Sequence, residues 1–141
     1  MRVTVLCDGR ARPPFDAASA MYERRLGAFC DLAVREVNGP DRLASAIAEL
    51  SPGIRVVALD ARGDQHTSEA LAAWLGPRRS DPLALVLGGA DGLPAAVLAR
   101  ARERWSLGPG TLPHQLARVV ALEQLYRAFT ILGGHPYHHG G

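Results

Sequence analysis

The sequence predicts a single α/β domain in which helices flank a mostly parallel sheet. Short apolar runs rich in Val and Leu alternate along the chain with segments in which apolar residues recur every three or four positions. Strands that alternate with helices over short connections are typical of a parallel sheet. The apolar runs are nearly continuous, which indicates strands covered on both faces. The 141 residues suit one domain, and no repeat or linker divides them.

The elements follow from these patterns in chain order. Strands are expected at residues 3–7, 32–37, 55–59 and 83–87. Three stripes of apolar residues at helical spacing lie between them, formed by Phe15, Ala18, Tyr22, Leu26 and Phe29, by Leu43, Ile47 and Leu50, and by Leu71, Trp74 and Leu75. Ser68 stands where the third of these helices is expected to have its N-cap.

The longest predicted helix occupies residues 113–132. Pro113 suits its first position, where a backbone N–H would have no partner, and Gly133 and Gly134 end it. Its apolar stripe is too wide for a helix that lies on one surface and consists of Leu116, Val119, Val120, Leu125, Phe129 and Leu132. A partner subunit and the core of a compact monomer explain this width equally well.

Composition excludes several classes of protein. No stretch approaches the roughly 18 consecutive apolar residues of a membrane span, and the N-terminus is too short and polar for a secretory signal. Cys7 and Cys30 lack metal-ligand spacing and are expected to be reduced thiols of a cytoplasmic protein. The net charge is only +2, and all 16 basic residues are arginine, so any phosphate contact would come from guanidinium groups.

A glycine-rich segment follows the strand at residues 83–87. Gly88, Gly89 and Gly92 lie in it, and Pro94 then begins the next helix. Glycines at the carboxyl end of a parallel strand allow a ligand to approach the backbone. Their spacing matches neither the dinucleotide fingerprint nor the P-loop. A ligand loop and a tight turn that needs positive φ angles are both consistent with the segment.

A second stiff loop, residues 105–113, precedes the longest helix. His114 and Arg118 are four residues apart and therefore share a face near the start of that helix. Free N–H groups and the positive end of the helix dipole would favour an anion there, such as an RNA phosphate. A capping loop with a surface histidine and arginine is the alternative.

The remaining candidates are a single carboxylate, one ion pair and the C-terminal tail. Asp60, at the end of the strand at residues 55–59, could hold a ligand hydroxyl or cap a turn. Glu123 and Arg127 have the spacing of a helical ion pair. The tail carries three histidines, but without supporting acids or cysteines it is a poor metal site, so no metal is expected. Tyr137 between histidines suits stacking on a base.

Several of these segments resemble the RlmH family, the SPOUT-class methyltransferases of pseudouridine in bacterial 23S ribosomal RNA. The matching segments are LGGADGL at 87–93, WSL at 105–107, TLPH at 111–114, RV at 118–119, EQLYRA at 123–128 and HPYH at 135–138. Upstream of these segments, Leu59, Asp60 and Gly63 also resemble the pattern of that family. The segments occur in order over about 80 residues with family-like spacing.

The resemblance implies a SPOUT-type α/β fold with a C-terminal trefoil knot, and a homodimer that would account for the wide apolar stripe. It implies an enzyme that uses S-adenosylmethionine to methylate ring nitrogen 3 of a pseudouridine in helix 69 of 23S rRNA, on assembled 70S ribosomes. The cofactor-binding residues that it implies are Leu59, Gly88, Gly89, Leu107, Gly108, Pro109, Gly110, Thr111 and Leu112.

The chemistry calls for an aligned nucleophile that has lost a proton. His114 and His138 are the candidate bases, Arg118 would stabilise charge or hold a phosphate, and Tyr137 would contact the base. We expect the tail to reach the cofactor pocket of the partner subunit. The alternatives are a non-catalytic dimeric RNA-binding or ribosome-assembly protein of the same fold and an unknotted flavodoxin-like nucleotide-binding protein. The cofactor-loop glycines argue against the first, because RNA binding alone would not need them.

Overall fold

The computed structural model describes residues 1–139, so that Gly140 and Gly141 of the predicted tail lie outside the described residues. The elements are β1 (Arg2–Asp8), α1 (Asp16–Leu26), β2 (Asp31–Val37), α2 (Pro40–Ala48), β3 (Arg55–Gln65), α3 (Ser68–Leu75), a 3-10 turn (Gly76–Arg78), β4 (Leu83–Leu87), α4 (Ala95–Arg100), β5 (Glu103–Ser106) and α5 (His114–Leu132). The four predicted strands are confirmed. The short β5 was not predicted, because its residues form no apolar run.

The strands form one sheet in the order β2-β1-β4-β3-β5, and every neighbouring pair is parallel. This confirms the predicted α/β fold with helices on both faces. One apolar core lies between the sheet and the pair α3 and α5, with Leu26 of α1 included. The other core lies under α2 and α4. All five residues of the central strand β4 are buried, as expected for a strand covered on both sides.

The two edges of the sheet are short or charged. On one edge, β2 exposes Asp31, Arg35 and Glu36 along its length. On the other edge, β5 has only four residues and pairs with β3. That pairing is interrupted, since Trp105 is opposite Leu59 and again opposite Asp64. Residues 60–63 therefore loop out of the ladder beside the carboxyl ends of the strands.

The predicted cap of α3 is wrong by one residue. Thr67 is the N-cap, and its side-chain oxygen accepts a hydrogen bond from the backbone N–H of Ala70 at 3.0 Å. Ser68 is the first helical residue. Its hydroxyl instead donates to the side-chain oxygen of Gln124 on α5 at 2.9 Å. Both residues have the chemistry of a cap, and the tertiary contact of Ser68 decides between them.

The longest helix, α5, begins one residue later than predicted, with Pro113 as its N-cap, and ends before Gly133. In its predicted stripe Leu125 and Phe129 are buried, whereas Leu116, Val119, Val120 and Leu132 are only partly buried. The chain alone therefore buries only two of the six residues of this stripe. The threading of α5 into a knot stays a prediction. Within residues 1–139, no helix combines the length and apolar character needed to cross a membrane.

Candidate active site

A cavity of about 550 Å³ opens at the carboxyl ends of β3, β4 and β5. Its walls come from the loops that follow these three strands and from the start of α5. Eight of the nine residues predicted to bind the cofactor line it, namely Leu59, Gly88, Gly89, Leu107, Gly108, Gly110, Thr111 and Leu112. Pro109 is not among the lining residues. We call this space the cofactor cavity.

The glycine segment after β4 is both a tight turn and part of the cavity wall. Gly89 pairs with Gly92, whose φ angle is +78°. At Gly88 a Cβ atom would lie 2.7 Å from the backbone carbon of Gly92, which leaves no room for a side chain. The turn interpretation is therefore confirmed, and it does not exclude a ligand, because the same backbone faces the cavity.

Charged side chains surround the mouth of the cofactor cavity. Asp60 is one of the residues that line it. One carboxylate oxygen of Asp60 lies 3.6 Å from a guanidinium nitrogen of Arg104, and the other accepts a hydrogen bond from the backbone N–H of Arg62. Asp60 therefore does cap a turn, as the more ordinary interpretation predicted. Arg62 and Arg104 are exposed and also line the cavity, so two guanidinium groups lie at its entrance.

The loop between β5 and α5 is held by its own hydrogen bonds. The hydroxyl of Ser106 donates to the carbonyl oxygen of Gly108 and accepts from its N–H, at 3.0 and 3.2 Å. The loop then leads to His114, which is exposed, lines the cofactor cavity and is the first residue of α5. His114 thus lies where the positive end of the helix dipole is strongest.

Arg118 is 5% exposed and is already paired with two carboxylates. Its Nη1 lies 2.7 Å from Glu36 of β2, and its Nη2 lies 3.8 Å from Glu23 of α1. A buried guanidinium needs such partners, since an unpaired charge would be costly. The ion pairs fix the first turns of α5 against β2 and α1, and they leave Arg118 poorly placed to bind a phosphate.

The two carboxylates respond differently to this arrangement. Burial raises the pKa of Glu23, although Arg118 opposes the effect. Burial also acts to raise the pKa of Glu36, but hydrogen bonds from the Ala11 N–H and from Arg118 outweigh it and lower that pKa. The Ala11 N–H lies 2.9 Å from the Glu36 carboxylate, so Glu36 also anchors the loop after β1.

The C-terminal tail is held against its own chain by a hydrogen-bonded cluster, the tail clasp, formed by Glu69, Glu123, Arg127, Tyr137 and His138. The predicted Glu123–Arg127 ion pair is confirmed at 2.6 Å. The hydroxyl of Tyr137 donates to Glu123 at 3.1 Å, and Arg127 lies over the ring of Tyr137. Arg127 and Glu69 bind the two ring nitrogens of His138 at 2.9 and 2.7 Å.

The clasp determines the tautomer of His138. A guanidinium can only donate, so Nδ1 accepts from Arg127, and Nε2 carries the proton that is donated to Glu69. The His138 hydrogen bond lowers the pKa of Glu69. Burial and hydrogen bonding with Tyr22 and Glu123 raise the pKa of Tyr137. Both ring nitrogens of His138 are therefore engaged within the clasp.

The structure does not bring the predicted catalytic residues of one chain together. His114 lies at the cofactor cavity, whereas the tail clasp is attached to α5 at Arg127. These two positions are separated by roughly 20 Å along the helix at 1.5 Å per residue. Tyr137 and His138 are not among the residues that line the cofactor cavity of their own chain.

A second cavity of about 250 Å³ lies between α3, α5 and the ends of β3 and β5. It shares a wall with the cofactor cavity, which consists of Leu59, Trp105, Ser106, Leu107 and Gly108. Its polar lining comes from Gln65, His66 and Gln124. Sequence reasoning does not reveal this cavity, because its lining residues are scattered over β3, α3, β4, β5 and α5.

The thiols lie outside both cavities. Cys7 is buried and Cys30 is half-buried, and burial raises the pKa of each to about 11. Both are therefore neutral at pH 7 and poor nucleophiles. In the described part of the chain, no three His, Cys, Asp or Glu side chains are grouped so that they could hold a metal ion.

Other functional residues were also missed. Glu23, Glu36 and Glu69 are far from their partners in sequence, so spacing gives no signal for them. In the sequence Trp105 is recognisable only as part of a motif, yet its side chain lines both cavities.

Comparison with known proteins gives a match over nearly the whole chain. A family model described as predicted SPOUT methyltransferase matches residues 1–138. Similar relatives include proteins named ribosomal RNA large subunit methyltransferase H from Gloeobacter violaceus, 42% identical over 99% of this chain and 100% of the relative, and from Sorangium cellulosum, also 42% identical with the same coverage.

Solved structures with this fold are more distant in sequence. The SpoU methyltransferase AviRb from Streptomyces viridochromogenes, in complex with the cofactor AdoMet, has a TM-score of 0.54 and 16% identity, over 95% of this chain and 59% of that one. A probable methyltransferase from Bordetella pertussis has a TM-score of 0.57 and 17% identity, over 91% of this chain and 96% of that one. At such identities the likeness concerns the fold alone.

Substitution of Glu36 tests the ion pair of Arg118. Because the pKa of Glu36 lies below its ordinary value of 4.5, its carboxylate stabilises the fold above that value, and the stabilisation is lost as the pH falls through the lowered pKa. Glu36→Gln should lower the free energy of unfolding at pH 7 by about 1 kcal/mol or less, since solvent screens this carboxylate. Urea unfolding at a series of pH values measures the difference. A loss independent of pH, or an equal loss for the exposed Glu49→Gln, would contradict this role.

Proposed function

The chain belongs to the SPOUT methyltransferases and, among them, to the ribosomal RNA large subunit methyltransferase H family, and on that premise we propose that it methylates ring nitrogen 3 of a pseudouridine in helix 69 of 23S rRNA. The enzyme is an rRNA methyltransferase that uses S-adenosylmethionine. The observation that carries the proposal is the cofactor cavity, which is lined by eight of the nine residues inferred from the family motifs.

The residues of the cofactor cavity suit this cofactor. Its volume of about 550 Å³ is in the usual range for a site of this kind, roughly 300–1,000 Å³. The absence of side chains at Gly88 and Gly89 exposes backbone groups to the ligand, and the loop at residues 107–112 supplies further amides. Leu59, Leu87 and Leu107 provide apolar contact. On this basis we assign the eight lining residues to cofactor binding, whereas Pro109 lies in the same loop without lining the cavity.

When bound, S-adenosylmethionine supplies an activated methyl group, so the protein mainly has to align the acceptor nitrogen and remove its proton. We assign proton removal to His114. It is exposed at the cofactor cavity, whereas both ring nitrogens of His138 are engaged in the tail clasp. The two guanidinium groups at the entrance, Arg62 and Arg104, would face the phosphates of the RNA.

Arg118 is assigned a positioning role. Its ion pairs with Glu36 and Glu23 attach α5 to β2 and α1. Since His114 lies one turn earlier on the same helix, these ion pairs determine where its imidazole projects. Arg118 thus acts through the helix, rather than through contact with a phosphate.

We propose that the active form is a homodimer in which the tail of one protomer faces the cofactor cavity of its partner. Two observations support this arrangement. The apolar stripe of α5 is only partly covered by its own chain. In addition, Arg127, which binds His138, lies roughly 20 Å along α5 from His114 at the cofactor cavity, and neither Tyr137 nor His138 lines that cavity. The tail clasp would then act by orienting the tail toward the neighbouring site.

The proposed RNA partner is the assembled 70S ribosome, and the reaction would take place in the cytoplasm, where that particle is found. A net charge of +2 supports this choice over naked RNA. Attraction to the phosphate backbone grows with the number of cations that contact it. A protein with so small a charge would depend on the shape of a folded surface as well.

Methyl transfer tests this function directly. Labelled S-adenosylmethionine should transfer its methyl group to unmodified 70S ribosomes, with much less transfer to naked 23S rRNA, and mapping should place the label on the helix 69 pseudouridine. Transfer to naked RNA alone would contradict the choice of partner. Cofactor binding without any transfer would favour a non-catalytic RNA-binding protein of the same fold.

Gly88→Ala tests the cofactor cavity. A Cβ atom would meet the Gly92 backbone at 2.7 Å, so the turn must shift and its amides must leave their positions. We expect S-adenosylmethionine binding to weaken by roughly tenfold or more, the equivalent of about one charge-assisted hydrogen bond, as measured by calorimetry. Gly53→Ala, at a glycine with open space around it, is the matched control and should bind normally. Equal affinity of both variants for S-adenosylmethionine would show that the cofactor binds at another place.

His138→Ala tests the role of the tail clasp. The variant loses the bonds to Arg127 and Glu69, so the tail should lose its fixed orientation. Methyl transfer to ribosomes should fall roughly tenfold or more, as for loss of a positioned group, while the calorimetric affinity for S-adenosylmethionine stays nearly unchanged. His139→Ala, at the exposed neighbour, is the control. A parallel loss of cofactor binding in His138→Ala would place His138 at the cofactor instead.

A further inference from the structure

The cavity of about 250 Å³ between α3 and α5 is distinct from the cofactor cavity, although five residues line both. We propose that it receives the target nucleobase and that the Gln124 side-chain amide binds the edge of that base. We call it the base cavity. The inference rests on the proposed function, because that function requires a base to lie beside the cofactor.

The position of the base cavity meets the first requirement of the reaction. The acceptor nitrogen must lie within bonding distance of the transferred methyl group. The two cavities share a wall of five residues, of which Leu59, Leu107 and Gly108 are also assigned to the cofactor. A ring in the base cavity would therefore adjoin the cofactor.

The size and lining of the base cavity suit one flat polar ring. Its volume lies just below the range of drug-sized ligands, roughly 300–1,000 Å³. Leu71, Leu85 and Val120 provide apolar surface for the faces of a ring. A uracil ring presents two carbonyl acceptors and two N–H donors at its edge, and the amides of Gln65 and Gln124 carry both kinds of group.

Gln124 is held in position before any ligand arrives. Its Nε2 donates to the carboxylate of Glu123 at 2.7 Å, and its Oε1 accepts from the Ser68 hydroxyl at 2.9 Å. Because a carboxylate can only accept, the amide orientation is determined. One N–H and one lone pair of the Gln124 amide remain available to a base.

Trp105 provides a second, independent indication of a ligand. It is 6% exposed and lies in the wall common to both cavities, yet its indole N–H has no hydrogen-bond partner within residues 1–139. A buried N–H without a partner is costly. Because this N–H is enclosed, a base carbonyl would reach it only if the indole shifts slightly toward the base cavity. Trp105 also makes edge contacts with Trp74 and His66, which keep its ring in place.

The arrangement has a chemical consequence for the acceptor nitrogen. Ring nitrogen 3 lies between the two carbonyl groups of the uracil ring, and negative charge spreads onto their oxygens when the proton leaves. The free Gln124 N–H, donated to one of these oxygens, would stabilise that charge. Gln124 would therefore contribute to the rate and not only to binding.

Gln124→Met, which keeps the length of the side chain and removes the amide, is the test. For methyl transfer to unmodified 70S ribosomes we expect kcat/KM to fall roughly 5- to 50-fold, as for one or two lost hydrogen bonds, with part of the loss in kcat. The calorimetric affinity for S-adenosylmethionine should stay within about twofold of the wild type.

Thermal unfolding would show whether Gln124→Met folds. A second, milder variant tests the same inference if it does not. Ser68→Ala removes only the hydrogen bond that orients the Gln124 amide and should give a smaller fall in kcat/KM. Its matched control is Ser45→Ala, at a serine on α2 whose hydroxyl donates to the Asp41 carbonyl, which should transfer methyl groups normally.

The outcomes separate this inference from the proposed function. Normal kcat/KM in Gln124→Met and Ser68→Ala, with an active wild type, would overturn the base cavity alone. Loss of S-adenosylmethionine binding in Gln124→Met would assign the cavity to the cofactor and also overturn it. Absence of transfer by the wild type would overturn the proposed function and this inference with it.

Discussion

The parallel direction of all five strands is the constraint on which the rest of the structure depends. Parallel strands end at one edge of the sheet, so the loops after β3, β4 and β5 meet there whatever their sequences. The cofactor cavity is the space between these loops. The glycines after β4 and the four residues that loop out of β3 then shape that space, but the strand direction creates it.

Helix α5 connects this edge of the sheet to the tail. Its first residue lies at the cofactor cavity, its middle lines the base cavity, and its last turns carry the clasp. Such a helix must be held in one position. The buried, paired charge of Arg118 holds its first turns. If the buried Arg118 guanidinium lost both carboxylates, it would remain as an uncompensated buried charge. Packing against α1 and α3 then holds the later turns.

Sequence patterns identified those features that depend on neighbours along the chain. The strand at residues 83–87, the pair Glu123 and Arg127, and the glycine turn all follow from local periodicity or spacing. Features that depend on the tertiary fold gave no such signal. The sequence does not reveal that Ser68 bonds to Gln124, which leaves the cap to Thr67. Nor does it reveal that Glu69 occupies a nitrogen of His138, which changes the chemistry open to that histidine.

The character of the sheet edges constrains how copies of this protein meet. A strand edge pairs readily with another edge when it is long, flat and apolar. Here β2 carries exposed acidic and basic side chains, and β5 is too short to offer more than a few backbone groups. Continuation of the sheet from one molecule into the next is therefore disfavoured, which protects the protein from fibre-like aggregation. In the proposed homodimer, association would therefore use helical surfaces, and a two-fold contact of that kind closes on itself instead of propagating.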